Sequence, residues 1–432
     1  MKLINTRNPS QEVTFERAVL LGSASGGGLF MPKVLEPFKN MEELLEKPFV
    51  ERSVEIVSAI IGEEFRPAEI RAAVEKALSF PVPVTRLSDR IFSLELFHGP
   101  TLAFKDFGAQ LMAQILQLIL ARQAPGKIIT ILTATSGDTG AAVAHAFRSM
   151  PGVQVRVLYP AGLIAPLQEK LFCTMGGNVR TFRVAGTFDD CQALVKEAFT
   201  DYKVVQKLGL TSANSINICR LLAQILYYFE GVAALRQMTG KKDLRPFISV
   251  PSGNFGNLTA GLMAQRLGLP VARFIVATNA NEIVPRFLAG EEYKPRPAIA
   301  TLANAMDVGA PNNWERMMYL FQRDQARLRR ELSAGSLTDE EIRKVLKELW
   351  TQKHLSEPHS AIAYEILRRN LPPEEHGLFL STAHPAKFRE IVEETLGINV
   401  PLPPALASVA DLPVLSEELE SDIAILKKRL TE

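Results

Sequence analysis

The chain has few of the residues that mark several common classes of protein. It contains only 3 cysteines among 432 residues. Cys173, Cys191 and Cys219 are too widely spaced for a metal-binding motif, so neither a disulfide framework nor a zinc site is expected. The 49 basic and 47 acidic residues nearly cancel, and only 2 residues are tryptophan. A large basic surface or aromatic stacking platforms for nucleic acid are therefore not expected.

Long uninterrupted apolar segments are also lacking. The N-terminal stretch MKLINTRNPSQEVTFERAVL mixes charged residues with apolar ones, unlike the apolar core of a secretion signal. The longest apolar windows, such as AQLMAQILQLILA at 109–121, contain glutamine and fall short of the ~20 residues that a membrane span needs. We therefore expect a cytoplasmic protein that binds neither membranes nor nucleic acid and is a monomer or a small homo-oligomer.

The chain does have a regular alternation of strand and helix patterns from about residue 127. Apolar β-branched runs such as KIITILTAT and VQVRVLYP are each followed by a helical pattern, which predicts α/β layers with a mostly parallel sheet. Residues 1–90 are predicted to be mainly helical, and residues 285–355 to be a helical insertion. The proline-rich tail after residue 398 is expected to lie along the surface.

Two strand-to-helix turns are rich in glycine and could bind anions. In VPSGNFGNLTAGL (250–262), Gly253 and Gly256 permit turn conformations that point successive amides at one spot, and Asn254 and Asn257 add donors. The alternative is an ordinary tight turn followed by a helix cap. In TATSGDTGAAV (133–143), hydroxyls and free amides suit a carboxylate or phosphate, although a run of N-cap residues would look the same.

Two further segments place polar side chains at the start of a helix. In SANSINICR (212–220), Arg220 lies one turn into a helix beyond two amides and a hydroxyl, and could hold a phosphate. A surface arginine beneath a capped helix is the alternative. In LSTAHPAKF (380–388), Ser381 and Thr382 end a strand before a helix that begins with proline, and here too a simple cap is possible.

The segment HGPTLAFKDFG (98–108) places a lysine among apolar residues. Lys105 follows Phe104 and is close to Phe107, and an apolar setting penalises the ammonium form. The neutral amine is then a nucleophile that can form a reversible covalent bond with an aldehyde. The alternative is a lysine whose stem lies on Phe104 while its charge reaches solvent near Asp106. A phosphate-bearing aldehyde would use both the lysine and the turn at 253–257.

These segments together resemble the threonine synthase family, in its longer bacterial and fungal form. The resemblance runs nearly end to end and is carried by FHGPTLAFKDFG, TATSGDTGAA, NSINICR, VPSGNFGNLTAG, STAHPAKF, LQEKLFCTMGGN, ATNANEIVPRFL and NAMDVGAPNNWER. It implies a fold-type-II pyridoxal-phosphate enzyme with two α/β domains whose twisted sheets are mostly parallel, preceded by a mainly helical N-terminal region. The implied reaction converts O-phospho-L-homoserine and water to L-threonine and phosphate.

The resemblance also implies roles for individual residues. Lys105 would bind the cofactor covalently, the turn at 253–257 would hold its phosphate, and Thr382 would face its pyridine nitrogen. The implied cofactor-binding residues are Lys105, Gly253, Asn254, Phe255, Gly256, Asn257, Asp138 and Thr382. The implied substrate-binding residues are Thr135, Ser136, Thr139, Asn214, Ser215, Asn217 and Arg220. Many relatives of this fold have asparagine at the position of Asp138, near the phenolic oxygen of the cofactor. Two neighbouring anions would repel each other, so Asp138 either shares a proton there or points elsewhere.

The implied domain arrangement interrupts one domain with another. The large cofactor-binding domain would comprise residues 91–126 and 212–398, and the small α/β domain would comprise 127–211. The N-terminal domain would end at residue 90, and residues 399–432 would form a C-terminal tail. Two rival activities fit the same fold. One is a phospholyase that releases 2-oxobutyrate, ammonia and phosphate, and the other is a serine or threonine dehydratase, for which the segment with Arg220 would be idle.

Overall fold

Two mostly parallel sheets, each covered by helices, dominate the computed structural model, which describes residues 2–123 and 126–432. In chain order, the strands are β1 (Lys2–Asn5), β2 (Glu12–Thr14), β3 (Phe30–Pro32), β4 (Val84–Arg86), β5 (Ile91–Glu95), β6 (Ile129–Ala134), β7 (Val153–Pro160), β8 (Val179–Ala185), β9 (Leu210–Thr211), β10 (Phe247–Pro251), β11 (Arg273–Thr278), β12 (Leu332–Ser336), β13 (Gly377–Ser381) and β14 (Glu417–Glu420).

The helices are numbered in the same way. They are α1 (Phe15–Leu21), α2 (Met41–Glu46), α3 (Phe49–Ile61), α4 (Pro67–Ala77), α5 (Lys105–Ala121), α6 (Asp138–Phe147), α7 (Pro166–Cys173), α8 (Phe188–Thr200), α9 (Tyr202–Leu208), α10 (Ile218–Thr239), α11 (Gly256–Arg266), α12 (Ile283–Leu288), α13 (Trp314–Leu320), α14 (Gln325–Glu331), α15 (Asp339–Thr351), α16 (Pro358–Asn370), α17 (Arg389–Leu396), α18 (Pro404–Ala407) and α19 (Ile423–Thr431).

The larger sheet has the strand order β12-β11-β10-β13-β5-β4, and only β4 is antiparallel to its neighbour. Its central strands β10, β11 and β13 are mostly apolar and buried, as expected of strands that are covered on both faces. In β11, Phe274 and Val276 pack in the core that contains α5, α10 and α11, while Ile275 and Ala277 pack in the core that contains α15 and α16. Because successive side chains of a strand point to opposite faces of the sheet, β11 contributes to two separate cores.

The smaller sheet is parallel throughout, with the order β14-β8-β7-β6-β9. Its outer strand follows the proline-rich stretch 399–415, which lies mostly at the surface as expected, but the residues after that stretch pack into the small domain. The strand β14 pairs with β8, and Leu426 of α19 is fully buried against the small-sheet core. Sequence periodicity missed β14 because Leu419 is the only buried residue in the acidic strand EELE.

Other short strands were missed for the same reason. The N-terminal region contains α1 to α4 as expected, but also a three-stranded antiparallel sheet with the order β2-β1-β3. Within the predicted helical insertion at 285–355, β12 forms an edge of the larger sheet. Strands of three to five residues at sheet edges carry too few alternating positions to produce a clear pattern.

The helix α10 crosses the interior of the larger domain. It is long and apolar enough to cross a membrane, but 83% of its most apolar 18-residue segment is buried inside the protein. It packs against α5, α11, α2 and α3. Length and composition alone cannot distinguish a membrane span from a core helix, and here the burial identifies a core helix.

Candidate active site

A cleft lies where the carboxyl ends of parallel strands from both sheets face each other. The turns after β6, β10 and β13 all contribute to it, as expected for ligand sites in open α/β sheets. The predicted site residues that line the cleft are Lys105, Ser136, Asp138, Thr139, Asn214, Ser215, Arg220, Gly253, Asn254, Phe255, Gly256, Asn257 and Thr382. Thr135 and Asn217 do not line it.

Lys105 is the first residue of α5 and its side chain is 19% exposed, toward the cleft. Its Nζ lies 4.7 Å from the centre of the Phe104 ring. The backbone before the lysine is tied to the end of β13, since the Phe104 amide donates to the Thr382 carbonyl at 2.9 Å and Ala103 bridges Ala383. These contacts fix where the amine stands relative to the turn after β13.

The electrostatic environment of Lys105 favours a neutral amine. Burial is the largest influence and lowers the pKa of Lys105 below its usual 10.5. Asp138, whose Oδ2 lies 3.8 Å away, opposes this effect, whereas the positive charges of Lys387 and Arg220 add to it. The net direction is downward, which is the direction that a nucleophilic lysine requires, and the nucleophilic role of Lys105 stays a prediction.

Asp138 faces the cleft at the start of α6, and its charge is compensated by a lysine that the sequence analysis did not identify. Lys387 Nζ lies 2.6 Å from Asp138 Oδ1, and Gln168 donates to the same oxygen at 2.8 Å. Burial alone would raise the pKa of Asp138, but Lys387 and then Lys105 lower it overall. A signal for Lys387 was available, because AHPAKF places a lysine beside a phenylalanine in an apolar setting, as LAFKDF does for Lys105.

The turn at 253–257 joins β10 to α11 in the form expected of an anion cradle. Phe255 has a φ of 60°, a left-handed conformation, so that the chain turns sharply before the helix. A Cβ on Gly253 would lie 2.8 Å from the Cα of Met306, which only glycine avoids. Asn257 accepts hydrogen bonds from Tyr227 and Tyr228, both at 2.6 Å.

The amide nitrogen of Asn257 remains without a partner. Its Nδ2 is buried and has no hydrogen-bond partner among the described residues, although it belongs to a residue that lines the cleft. A buried unpaired donor costs free energy unless a ligand accepts from it. The turn therefore offers both backbone amides at a helix N-terminus and a free side-chain donor to an anionic group.

The turn at 135–139 divides its hydroxyls between two tasks. Thr135 Oγ1 accepts from the amides of Gly137 and Gly140 at 2.9 and 2.8 Å, so it shapes the turn instead of facing the cleft. Ser136 and Thr139 do line the cleft. The prediction that all three hydroxyls contact a ligand is therefore not supported for Thr135. Its buried oxygen accepts hydrogen bonds from the turn itself.

The segment 214–220 shows a similar division. Asn217 is fully buried at the N-cap of α10, where its amide donates to the carbonyls of Val19 and Ser212 and its oxygen accepts from Cys219. It is thus committed to the N-terminal region, and its predicted contact with substrate is not supported. Arg220, in contrast, lines the cleft and has a buried Nε without a partner among the described residues.

A polar chain behind Thr382 was also missed. Glu357, at the N-cap of α16, accepts from the His359 ring at 2.5 Å and from the Ser360 amide at 2.8 Å. Ser360 Oγ in turn accepts from the Thr382 amide at 3.2 Å. His359 lines the cleft and its Nε2 accepts from the Ala305 amide at 3.2 Å. The segment SEPHSA gave no sign of this arrangement, because the contacts form only when α16 packs beside β13.

These features fit a ligand that combines an aldehyde with a phosphate. The cleft brings an amine with a lowered pKa, an anion cradle with an unpaired amide donor, and a hydroxyl at Thr382 into one volume. Arg220 supplies a second buried donor that the cradle does not use. Pyridoxal phosphate has the required groups, and its binding would leave Arg220 available for another anion.

Comparison with known families agrees with this chemistry. The family described as pyridoxal-phosphate dependent enzyme matches residues 81–382, the threonine synthase N terminus matches residues 2–78, and the threonine synthase C-terminal region matches residues 360–429. A threonine synthase from Haemophilus influenzae is 52% identical over 430 residues, which cover 100% of this chain and 99% of that protein. The chain belongs to the threonine synthase family.

Solved threonine synthases share the fold described above. The crystal structure from Escherichia coli has a TM-score of 0.95 and 53% identity, and covers 100% of this chain and 99% of that chain. A PLP-bound threonine synthase from Brucella melitensis has a TM-score of 0.90 at 33% identity, and covers 100% and 98%. The predicted family, the α/β fold class and the predicted cofactor, pyridoxal phosphate, are therefore confirmed.

Proposed function

We propose that the protein converts O-phospho-L-homoserine and water to L-threonine and phosphate. The observation that carries this proposal is a second donor without a partner among the described residues, on the guanidinium of Arg220, in the cleft that also contains Lys105 and an anion cradle. An enzyme acting on an amino acid without a phosphate would leave that buried charge without a ligand. A phosphorylated substrate accounts for both anion sites, whereas serine or threonine dehydration accounts for only one.

The cofactor would be held at three points. Lys105 would bind its aldehyde carbon, the turn from Gly253 to Asn257 would bind its phosphate, and the hydroxyl of Thr382 would face its pyridine nitrogen. Asp138 lies near Lys105 and would border the cofactor on the side of the small sheet. When bound, pyridoxal phosphate would withdraw electrons from the substrate and so make the hydrogens on the substrate Cα and Cβ more acidic.

The substrate would lie between the two domains. Ser136 and Thr139, with the free amides of their turn, would bind its carboxylate. Asn214, Ser215 and Arg220 would bind its phosphate, with Arg220 providing the charge. Burial lowers the pKa of Arg220 to about 10, so the guanidinium remains protonated at neutral pH and can compensate the charge of the departing phosphate.

The proton transfers would be carried out by Lys105. Once free, its Nζ takes a proton from the substrate Cα, and a second proton is removed at Cβ. The bond between Cγ and the phosphate oxygen then breaks, phosphate leaves toward Arg220, and a proton is returned at Cγ. The oxygen of a water molecule adds at Cβ to give the threonine hydroxyl, and the proton that water releases goes to the departing phosphate. Lys105 Nζ then returns a proton at Cα, so that the three protons released match the three taken up. The lowered pKa of Lys105 suits this alternation between base and acid near neutral pH.

The proposal is tested by incubating the protein, loaded with pyridoxal phosphate, with O-phospho-L-homoserine. We expect threonine and phosphate in equal amounts, and little 2-oxobutyrate. Equal amounts of phosphate and 2-oxobutyrate would instead identify the phospholyase, and no release of phosphate would contradict both. Borohydride reduction followed by peptide mapping should locate the cofactor on Lys105, and Lys105→Ala should abolish both the adduct and the turnover.

A further inference from the structure

We propose that Lys387 is a positioning residue that keeps the amine of Lys105 uncharged by taking Asp138 as its own counter-ion. This inference rests on the function proposed above, since that function needs a nucleophilic lysine. It assigns a task to a residue that does not line the cleft and that the sequence analysis did not single out.

The distances show which lysine holds the carboxylate. Lys387 Nζ lies 2.6 Å from Asp138 Oδ1 and also donates to the Thr101 carbonyl at 2.8 Å, whereas Lys105 Nζ is 3.8 Å from Asp138 Oδ2. A separation of 3.8 Å is too long for a hydrogen bond. The close ion pair therefore belongs to Lys387, and Lys105 experiences Asp138 only as a nearby charge.

Burial explains why Lys387 takes precedence. Its side chain is 0% exposed, so an unpaired ammonium there would have no water to solvate it. Lys105 opens onto the cleft and can lose its proton at a smaller cost. Of the two cations that compete for one carboxylate, the one that cannot reach water keeps the partner.

The remaining charges near this group do not supply another counter-ion for Lys105. Asp106 is bound by the amide and the hydroxyl of Thr101 at 2.9 and 2.6 Å, and burial raises its pKa to about 6. The carboxylate of Glu357 is bound to His359 and Ser360. The charged and titratable groups that influence Lys105 or Asp138 are Lys387, Arg220 and His359.

The pair Asp138–Lys387 should therefore act on Lys105 as a nearly neutral unit. If Lys387 loses its charge, Asp138 is left with Lys105 as its partner, and the pKa of Lys105 rises. If Asp138 loses its charge, Lys387 repels the ammonium of Lys105, and that pKa falls. If both charges are removed, the two effects cancel. Opposite changes from the two single variants, and no change from the double variant, are not expected of a merely structural contact.

The test measures the reactivity of Lys105 in the full-length protein without cofactor or substrate. Reductive methylation at several pH values, followed by peptide mapping, gives the labelling rate of Lys105. The exposed Lys242, whose side chain is 84% exposed, serves as the internal reference. At any pH below the pKa of a lysine, the fraction of neutral amine, and with it the labelling rate, falls about tenfold when that pKa rises by about 1.

We expect Lys387→Met to slow the labelling of Lys105 at least tenfold relative to Lys242, and Asp138→Asn to accelerate it. The double variant D138N/K387M should lie within about threefold of the unchanged protein, by cancellation of the two charge effects. If K387M does not fold, the comparison of D138N with the double variant still decides, because removing Lys387 as well should cancel the acceleration that D138N alone produces. A tenfold change in the double variant, or equal rates in K387M and the unchanged protein, would overturn the inference.

This measurement is independent of turnover. Failure to form threonine from O-phospho-L-homoserine would contradict the proposed function and leave the labelling rates unaffected. Conversely, threonine formation together with a K387M labelling profile that matches the unchanged protein would contradict only the role of Lys387.

Discussion

Two buried arginines of this protein, Arg220 and Arg316, differ in how their hydrogen bonds are used. Among the residues that the structure describes, neither guanidinium forms an ion pair, and burial lowers the pKa of Arg220 to about 10 and that of Arg316 to about 9. Arg316 donates to the carbonyls of Phe30, Ser215 and Ile216 and to the side chain of Asn313, at 2.6 to 3.1 Å. Arg220 donates to the Ala213 carbonyl, and its Nε has no partner.

The difference separates a structural arginine from a ligand-binding one. The donors of Arg316 tie α13 to the N-terminal strand β3 and to the segment before α10, and four of its five N–H groups are used within the protein. Arg220 lines the cleft, where an incoming anion can approach its guanidinium. Burial alone would not distinguish these two residues, whereas the accounting of hydrogen bonds does.

The largest effect is expected from Arg220→Met. The variant should lose about 10²–10³-fold in kcat/KM for O-phospho-L-homoserine, the range found when one donor to a developing negative charge is removed. Steady-state kinetics with phosphate release as the readout measures this loss. Affinity for the cofactor serves as the control and should stay unchanged, since Arg220 is proposed to bind the substrate phosphate only. A loss below tenfold would place the substrate phosphate elsewhere.

Arg316→Met should act on stability instead. Removing the guanidinium leaves four oxygen acceptors without their donors, and we expect the free energy of unfolding to fall by about 2–4 kcal/mol. Urea unfolding measures it, with R220M as the matched control, because removing a partly unpaired buried charge should change stability by less than about 1 kcal/mol. If R316M and R220M were equally destabilised, the number of hydrogen bonds within the protein would not distinguish a structural arginine from a ligand-binding one.

Much of the fold and of the candidate site could be predicted from the sequence. Buried central strands and glycine-containing turns were predictable, whereas edge strands and contacts between distant residues were not. The strands β6, β7, β10, β11 and β13 are mostly apolar runs, and the turns after β6 and β10 were recognised because glycine follows within three residues of each strand. The edge strands β12 and β14 were missed, since their few buried positions carry no periodic pattern. Arg316 was not singled out either, because its three carbonyl acceptors come from residues about 100 and 286 positions away along the chain.

The role of a site residue was harder to predict than its location. The resemblance placed Asn217 and Thr135 with the substrate-binding residues, but both side chains are used in the local structure. Sequence spacing indicates that a polar residue lies near a turn, and only the folded chain shows whether its oxygen or nitrogen is already paired. For Lys387, the sequence did not indicate a role at the site, because its partner Asp138 begins α6, beside the other sheet.

Thr135 and Thr139 allow the same comparison, between a structural and a ligand-binding residue, with neutral side chains. Thr135→Val removes the acceptor for the amides of Gly137 and Gly140, and we expect it to lower the free energy of unfolding by about 1–3 kcal/mol. Thr139→Val, at a position that lines the cleft, should stay within about 0.5 kcal/mol and instead raise KM. Urea unfolding and steady-state kinetics of both variants check this. A stable T135V with a raised KM would reverse the assignment.

The smallest effect concerns an anion that is not a substrate. With the cofactor bound, its phosphate occupies the turn at 253–257, so added inorganic phosphate should bind at Arg220. At tenfold its Kd, phosphate should stabilise the protein by about 1.4 kcal/mol, from RT ln(1 + [L]/Kd).

For a chain of this size, that stabilisation corresponds to a rise in Tm of about 1–2 °C, which scanning calorimetry against chloride at equal ionic strength can measure. The rise should disappear in R220M and persist in T139V, because Thr139 is assigned to the substrate carboxylate. A rise that persisted undiminished in R220M would mean that another residue binds the phosphate, and the unpaired donor of Arg220 would then need a different explanation.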